Sequence, residues 1–316
     1  MTLEEKIGQM VQVDSMALKD KTEVKRYGLG SVLSGGNSDP DSGNTAADWL
    51  KFVDSFKAEA RQTRLQIPLI YGIDAVHGHN NVDGATVFPH NIGLGAMQDA
   101  NLVRRAAEVT AAECAGTGIR WAFAPCITVP QNPRWGRTYE GYGDNTDLVA
   151  GLGVAATLGL QGNVLSSAPT SVLACAKHFI GDGGTTNGID QGNTVADEAT
   201  VRKLYLPPYQ ANVAAGVGSI MVSYNSWNGE KMHGQAHLLT DVLKGELGFQ
   251  GFLVSDWAAI DQLNTNNYRE CIEKSINAGL DMIMIPNGLD KPNNYVEFIA
   301  DLKALVQGGQ VSLARI

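Results

Sequence analysis

Five short apolar segments each run into polar or aromatic residues that could do chemistry together. GFLVSDW ends in Asp256 and Trp257, and LIYGID ends in Asp74. LACAKHF carries the adjacent pair Lys177 and His178. FAPCITV leads into PQNPRWGR with Arg137, and IMVSYNSWNG carries Met221, Tyr224 and Trp227. Asp, Arg, Lys and His bind neutral hydroxyls through charge-assisted hydrogen bonds, and indole rings offer flat apolar faces. Such a set suits a polyhydroxylated ligand, above all a sugar. A carboxylate beside an anomeric carbon is the nucleophile of a retaining glycosidase, in which a second carboxyl about 5–5.5 Å away protonates the leaving oxygen.

Each residue also has a plain structural reading. Ser255-Asp256 before Ala-Ala could cap a helix. Arg137 could staple its loop to Glu140 or Asp144, Lys177 could pair with a neighbouring acid, and the tryptophans could be ordinary packing. A single histidine such as His178 is more often a satisfied core residue than a reactive one. The functional reading rests on coincidence: a purely structural rim has little reason to gather an acid, a Lys-His pair, an Arg and tryptophans at five segment ends.

The elements that would position them alternate in type. Strands are expected over residues 10–13, 30–34, 68–74, 121–128, 172–179, 219–224, 251–256 and 281–286. Helices are expected over 17–26, 46–64, 100–116, 147–160, 197–215, 237–247, 268–278 and 294–306. Strand–helix alternation implies parallel strands with right-handed crossovers. Eight such units in 316 residues predict a single-domain (β/α)8 TIM-like barrel over residues 1–316, with an open doubly wound sheet as the alternative. No GxGxxG opens a helix after an early strand, which speaks against dinucleotide binding. In a barrel all five segment ends lie on one rim, the C-terminal face. Residues 34–44, rich in Gly, Ser and Asp, read as a long loop after the second strand. Thr2, with Glu5 three residues on, reads as a helix capping box.

Composition agrees with a large buried core: 44% of residues are hydrophobic, and 36 Gly against 11 Pro point to many tight turns rather than disorder. With 24 Lys and Arg against 33 Asp and Glu, the net charge is −9, and no basic block occurs. Nucleic acid and anionic membrane are therefore not the expected partners. Cys114, Cys126, Cys175 and Cys271 lack CxxC spacing and read as buried free thiols. No apolar run suggests a membrane span or a leader peptide.

The segments MTLEEKIGQMVQ, GSVLSGG, IYGIDAVHGHNN, NPRWGRTYEGYG, AKHFIGDGGTTNG, IMVSYNSWNG and GFLVSDW together resemble glycoside hydrolase family 3, the β-glucosidase and exo-β-glucanase group. The resemblance implies a catalytic barrel without cofactor or metal, acting on a β-linked glucoside or oligosaccharide. It implies that Asp256 is the nucleophile. Asp74, Arg137, Lys177 and His178 would hold sugar hydroxyls, Met221 and Tyr224 would line the pocket, and Trp257 would stand beside the leaving-group subsite. In larger members the general acid/base is a glutamate of a C-terminal α/β domain. That domain is expected to be absent from this chain, which would then depend on it in cis or as a separate chain. Single-domain members place a His in the loop after the KHF motif, whereas this chain has none between His178 and His233. Position 191 holds Gln where the family often has Glu. The resemblance favours a secreted or periplasmic parent.

Two other readings compete. His77-x-His79 has metal-ligand spacing, and with His178, Lys177 and a strand-end Asp it would suit a metal-dependent amidohydrolase. That reading is weakened because adjacent strand residues such as Lys177 and His178 face opposite sides unless the strand distorts. The other is a non-catalytic glycan-binding barrel, for which a nucleophile at Asp256 would be superfluous.

Overall fold

The computed structural model describes residues 1–264 and 266–316. Eight parallel strands form one sheet: β1 (Val11–Asp14), β2 (Ser31–Ser34), β3 (Ile70–Ile73), β4 (Trp121–Ala122), β5 (Leu173–Phe179), β6 (Ser219–Val222), β7 (Phe252–Val254) and β8 (Ile283–Ile285). From β1 to β7 each strand pairs in parallel with the next, and β8 returns to pair with β1. A parallel bridge between Val254 and Met282 joins β7 to the start of β8 and closes the ring. The expected barrel therefore forms.

Two apolar layers hold it together. Inside the ring, Leu33, Trp121, Phe123, Leu173, Cys175, Met221, Val254, Met282 and Met284 pack into one cluster. The buried Trp121 indole donates to Ser219 Oγ at 2.9 Å, so its polar edge is not orphaned inside the barrel. The opposite strand faces, such as Val11, Val13, Val32 and Ile73, pack against the helices, whose inward sides carry Trp49, Phe56, Leu152, Tyr209, Ile276 and Phe298. The four cysteines are free and buried, as expected.

Local departures from the expected elements have chemical causes. The first helix, Leu3–Gln9, opens on the capping box, with Thr2 Oγ1 accepting from Glu5 N and Glu5 Oε2 from Thr2 N. The second helix is shorter than expected, Thr22–Tyr27. The stretch expected as one helix over 197–215 is two, Glu198–Leu204 and Leu206–Ala214, divided at Tyr205. Pro207 and Pro208 lack N–H groups and suit only the first turn of the second piece. Regular β4 stops at Ala122. Pro125 cannot donate to a ladder, yet the chain still runs beside β5 through Cys175 N to Ala124 O, Lys177 N to Pro125 O and Ile127 N to Lys177 O. A short helix, Asn91–Met97, and a small sheet of Asn193–Thr194, Ser226–Trp227 and Glu230–Lys231 were not foreseen. Asn228 and Gly229, both at positive φ, make the hairpin turn of that sheet.

His79 is sealed between Trp49 (ring centroids 5.8 Å apart) and Thr117, which its Nε2 meets at 3.0 Å. Burial lowers its pKa from 6.5 to about 4. The unfolded chain binds this proton at a higher pH than the folded chain, so His79 makes stability fall as pH drops from about 6.5 to about 4. In urea unfolding across that range, His79→Asn is expected to flatten the pH slope by about one proton; an unchanged slope would show that His79 protonates without cost.

Candidate active site

All five segment ends meet at the C-terminal rim of the barrel, around a cleft of about 630 Å³. Asp74, Arg137, Lys177, His178, Met221, Asp256 and Trp257 all line it. Tyr224 stands at its edge, its hydroxyl donating to the carbonyl of Trp257.

The floor comes from the barrel interior. Leu33, Phe123, Met221 and Met284 present apolar atoms upward from strands β2, β6 and β8 and from the segment following β4. Over this floor the polar groups are held by one another. Asp256 lies just past the end of β7. Its backbone N–H donates to His233 Nε2 at 3.2 Å, and its Oδ1 accepts from Trp257 N at 2.6 Å. Its Oδ2 is buried, has no hydrogen-bond partner among the described residues, and lies 3.7 Å from His178 Nε2.

His178 is fixed from both sides. Nδ1 lies 2.9 Å from Asp182 Oδ2, and Nε2 lies 2.9 Å from Arg137 Nη2. A guanidinium only donates, so Nε2 must accept and the proton must lie on the Nδ1 side. Burial first, and then the Arg137 charge, lower the His178 pKa to about 3. The ring is therefore neutral near pH 7. Asp182 is itself buried, accepting from Gly183 N at 2.9 Å and from the Thr128 hydroxyl, and burial raises its pKa to about 6. Arg137 also chelates Glu140 through Nε at 2.7 Å and Nη2 at 2.9 Å.

Lys177, whose side chain is only 5% exposed, meets Asp74 Oδ1 at 3.0 Å. Burial works against its charge, but Asp74 and then Glu140 outweigh it, and the pKa is raised. Lys177 and His178 both reach the cleft although they are adjacent on β5. Strand alternation fails there because the pairing of β5 with β6 shifts register between Ala176 and Phe179. This is the strand distortion under which the two need not face opposite sides. Trp257, 40% exposed, lies over Gly35, where a Cβ would come within 2.4 Å of the indole. Only glycine leaves room for the ring in this position.

Asp14 was missed in the sequence. It ends β1, lines the cleft, and accepts from Ser38 Oγ (2.7 and 2.8 Å), Met16 N (2.9 Å) and Gly35 N (3.1 Å). Burial raises its pKa. Its signal was the same as that of Asp74, an acid closing an apolar strand, but the first strand was read as ending at Val13. The His77 and His79 pair does not converge: His77 Nδ1 binds the carbonyl of Phe88 at 2.9 Å, while His79 turns inward to Thr117. No group of three or more His, Cys, Asp or Glu among the described residues is arranged to hold a metal. The amidohydrolase reading loses its ligands on this geometry.

Comparison with known proteins gives a consistent result. The family model described as the glycosyl hydrolase family 3 N terminal domain matches residues 2–316. A lysosomal beta glucosidase of Dictyostelium discoideum is 34% identical over 331 residues, covering 95% of this chain and 40% of that protein. A periplasmic beta-glucosidase of Salmonella typhimurium is 31% identical over 324 residues, covering 100% of this chain and 39% of that protein. Among solved structures, an exo-1,3/1,4-beta-glucanase from a Pseudoalteromonas species superimposes with a TM-score of 0.91 at 42% identity, over 100% of this chain and 39% of that one. The chain thus spans 39–40% of the length of these relatives.

The hydrogen-bond directions around His178 can be checked by nitrogen NMR. At pH 7 the imidazole is expected to carry its proton on Nδ1. Asp182→Asn, which can still offer an amide oxygen to that nitrogen, is expected to leave the proton on Nδ1, because Arg137 only donates to Nε2. Movement of the proton to Nε2 would show that Asp182, and not Arg137, sets the tautomer.

Proposed function

Because this chain belongs to glycosyl hydrolase family 3, we propose that its barrel carries the nucleophilic half of a retaining β-glycosidase, removing glucose from the non-reducing end of β-linked glucosides. One observation carries this reading: Asp256 offers to the cleft a buried oxygen without a hydrogen-bond partner among the described residues, whereas the neighbouring carboxylates each hold a partner. Asp74 is tied to Lys177, Asp14 to Ser38 and two backbone amides, and Glu140 to Arg137.

The chemistry follows from those ties. Asp256 Oδ1 is held by the Trp257 amide, which orients Oδ2 for attack on an anomeric carbon lying over the apolar floor. The carbon–oxygen bond to the leaving group breaks as the new ester forms, and water later releases the sugar. The Lys177 ammonium uses one of its donors on Asp74 and retains others for ring hydroxyls. Arg137 uses Nε and Nη2 on Glu140 and His178, leaving Nη1 for the sugar. Holding a hydroxyl in place costs these groups little reorganisation, because their own partners already fix them. Trp257 offers a partly exposed face for the leaving group.

The second carboxyl is proposed to come from outside the barrel. Glu140 and Asp182 are committed to Arg137 and His178, Asp190 accepts from the Trp135 indole, and Glu230 lies on the small sheet bonded to Gln235. The greater length of the relatives allows a second domain to supply the acid. A secreted or periplasmic parent fits the compartments named for the Dictyostelium and Salmonella proteins.

Incubation with a 2-deoxy-2-fluoro-β-glucoside bearing a dinitrophenyl leaving group is expected to leave an adduct on the peptide containing Asp256, read by mass spectrometry. Asp256→Ala should lower turnover of the activated 2-hydroxy substrate by about 10³-fold or more. An adduct on another carboxylate would overturn the assignment. For the chain of residues 1–316, kcat/KM should fall steeply from dinitrophenyl glucoside to cellobiose, since only the latter needs the proton donor. Comparable rates on the two would place the acid inside the barrel.

A further inference from the structure

The strand that carries Asp256 parts from its neighbour just before the nucleophile. Strand β7 pairs with β6 as far as Val254, opposite Met221. One more ladder step would give the Asp256 N–H a carbonyl of β6. That N–H donates instead to the His233 side chain, 3.2 Å from Nε2, while Ser255 N turns the other way to Met282 O at 3.0 Å. On the β6 side the same imidazole is hydrogen-bonded to the backbone of Ser223, the residue after the strand. His233 is buried and bridges the two strands where they diverge.

A neutral imidazole suits this place. Like a peptide group it carries one donor and one acceptor, so it can stand in for a lost strand pairing. Nε2 accepts from Asp256, which puts the proton on Nδ1. Burial first, and then the Lys231 charge, lower the His233 pKa to about 3. A cationic ring would have no acceptor to offer the Asp256 amide.

The small sheet brings the ring there. Its last strand, Glu230–Lys231, runs directly into Met232 and His233. Lys231 Nζ donates to the carbonyls of Tyr224 at 2.9 Å and Gln191 at 3.2 Å, which ties this hairpin to the loops after β6 and β5. Met232 is fully buried, and its N–H donates to Asn225 O at 3.0 Å. Asn225 in turn donates to Thr194 Oγ1 at 3.0 Å. Neither His233 nor Lys231 lines the cleft, so His233 reaches the chemistry only through Asp256.

We propose that His233 is the positioning residue of the nucleophile: its imidazole replaces the missing strand pairing and fixes the Asp256 backbone, so that Oδ2 keeps its aim. The proposal rests on the reading of Asp256 as nucleophile and extends it to a residue that does not touch the sugar. The hairpin then has a task, which is to hold His233 behind the strand end.

The test follows the rate of 2-fluoroglucosyl adduct formation on Asp256 at saturating dinitrophenyl reagent. Glucose binding is measured in parallel by calorimetry, and labelling is counted per chain that binds glucose, so that a loss of fold does not register as a loss of aim. His233→Leu keeps bulk but removes the bridge; it should slow labelling about 10²-fold and leave glucose affinity within about twofold of wild type. His233→Gln, whose amide again offers a donor and an acceptor, should label within about tenfold of wild type. The proposal is overturned if the leucine variant labels at the wild-type rate, or if glutamine labels as slowly as leucine. Nitrogen NMR of the wild-type chain adds a reading that no variant's folding can disturb. The His233 proton is expected on Nδ1 at pH 7, and a proton on Nε2 would also overturn the proposal. Absence of any adduct on the wild-type chain is a different result: it would sink the nucleophile reading and this proposal with it.

Discussion

The half-buried guanidinium of Arg137 is the constraint on which the rest of the site depends. Taking such a charge out of water costs several kcal/mol unless it is well paired. Burial works against the charge, but the two-pronged bond to Glu140 outweighs it and the arginine pKa is raised. Glu140 is balanced in the same way: burial pushes its carboxyl up, Arg137 pulls it down further, and the net shift is downward. The guanidinium then dictates that His178 Nε2 accept, which throws the imidazole proton toward Asp182 and keeps the ring neutral. Asp256 therefore faces a neutral imidazole at 3.7 Å, not a cation that would clamp its free oxygen.

Much of this was legible in the sequence because burial writes itself into apolar runs. The eight strands stood out as β-branched segments, and barrel geometry then sent their downstream residues to one rim. Three things were not legible. Asp14 was lost because Asp is depleted in strands, so the run was cut one residue short at Val13. The convergence of Lys177 and His178 depends on a register shift against β6 whose occurrence the sequence pattern does not reveal. Asp182 could be noted as a loop acid, but its bond to His178 arises only when the loop after β5 folds back onto Thr128.

The same geometry disposes of the metal reading. The His77-x-His79 spacing suggested a metal, but spacing alone says nothing of direction. One ring stacks on His90, while the other is sealed against Trp49.

The four sealed thiols decide how the barrel would fare under oxidation. Burial pushes Cys126 and Cys175 up to about 12 and raises Cys114 and Cys271 as well. Disulfide exchange proceeds through the thiolate, which is almost absent at such values, and through access to the sulfur, which burial denies. Air, peroxide or an oxidising lumen therefore finds no exposed sulfhydryl to scramble, and the folded barrel needs no reductant in storage. The vulnerable interval is the unfolded chain, where the same sulfurs regain ordinary acidity and can cross-link before the barrel closes over them.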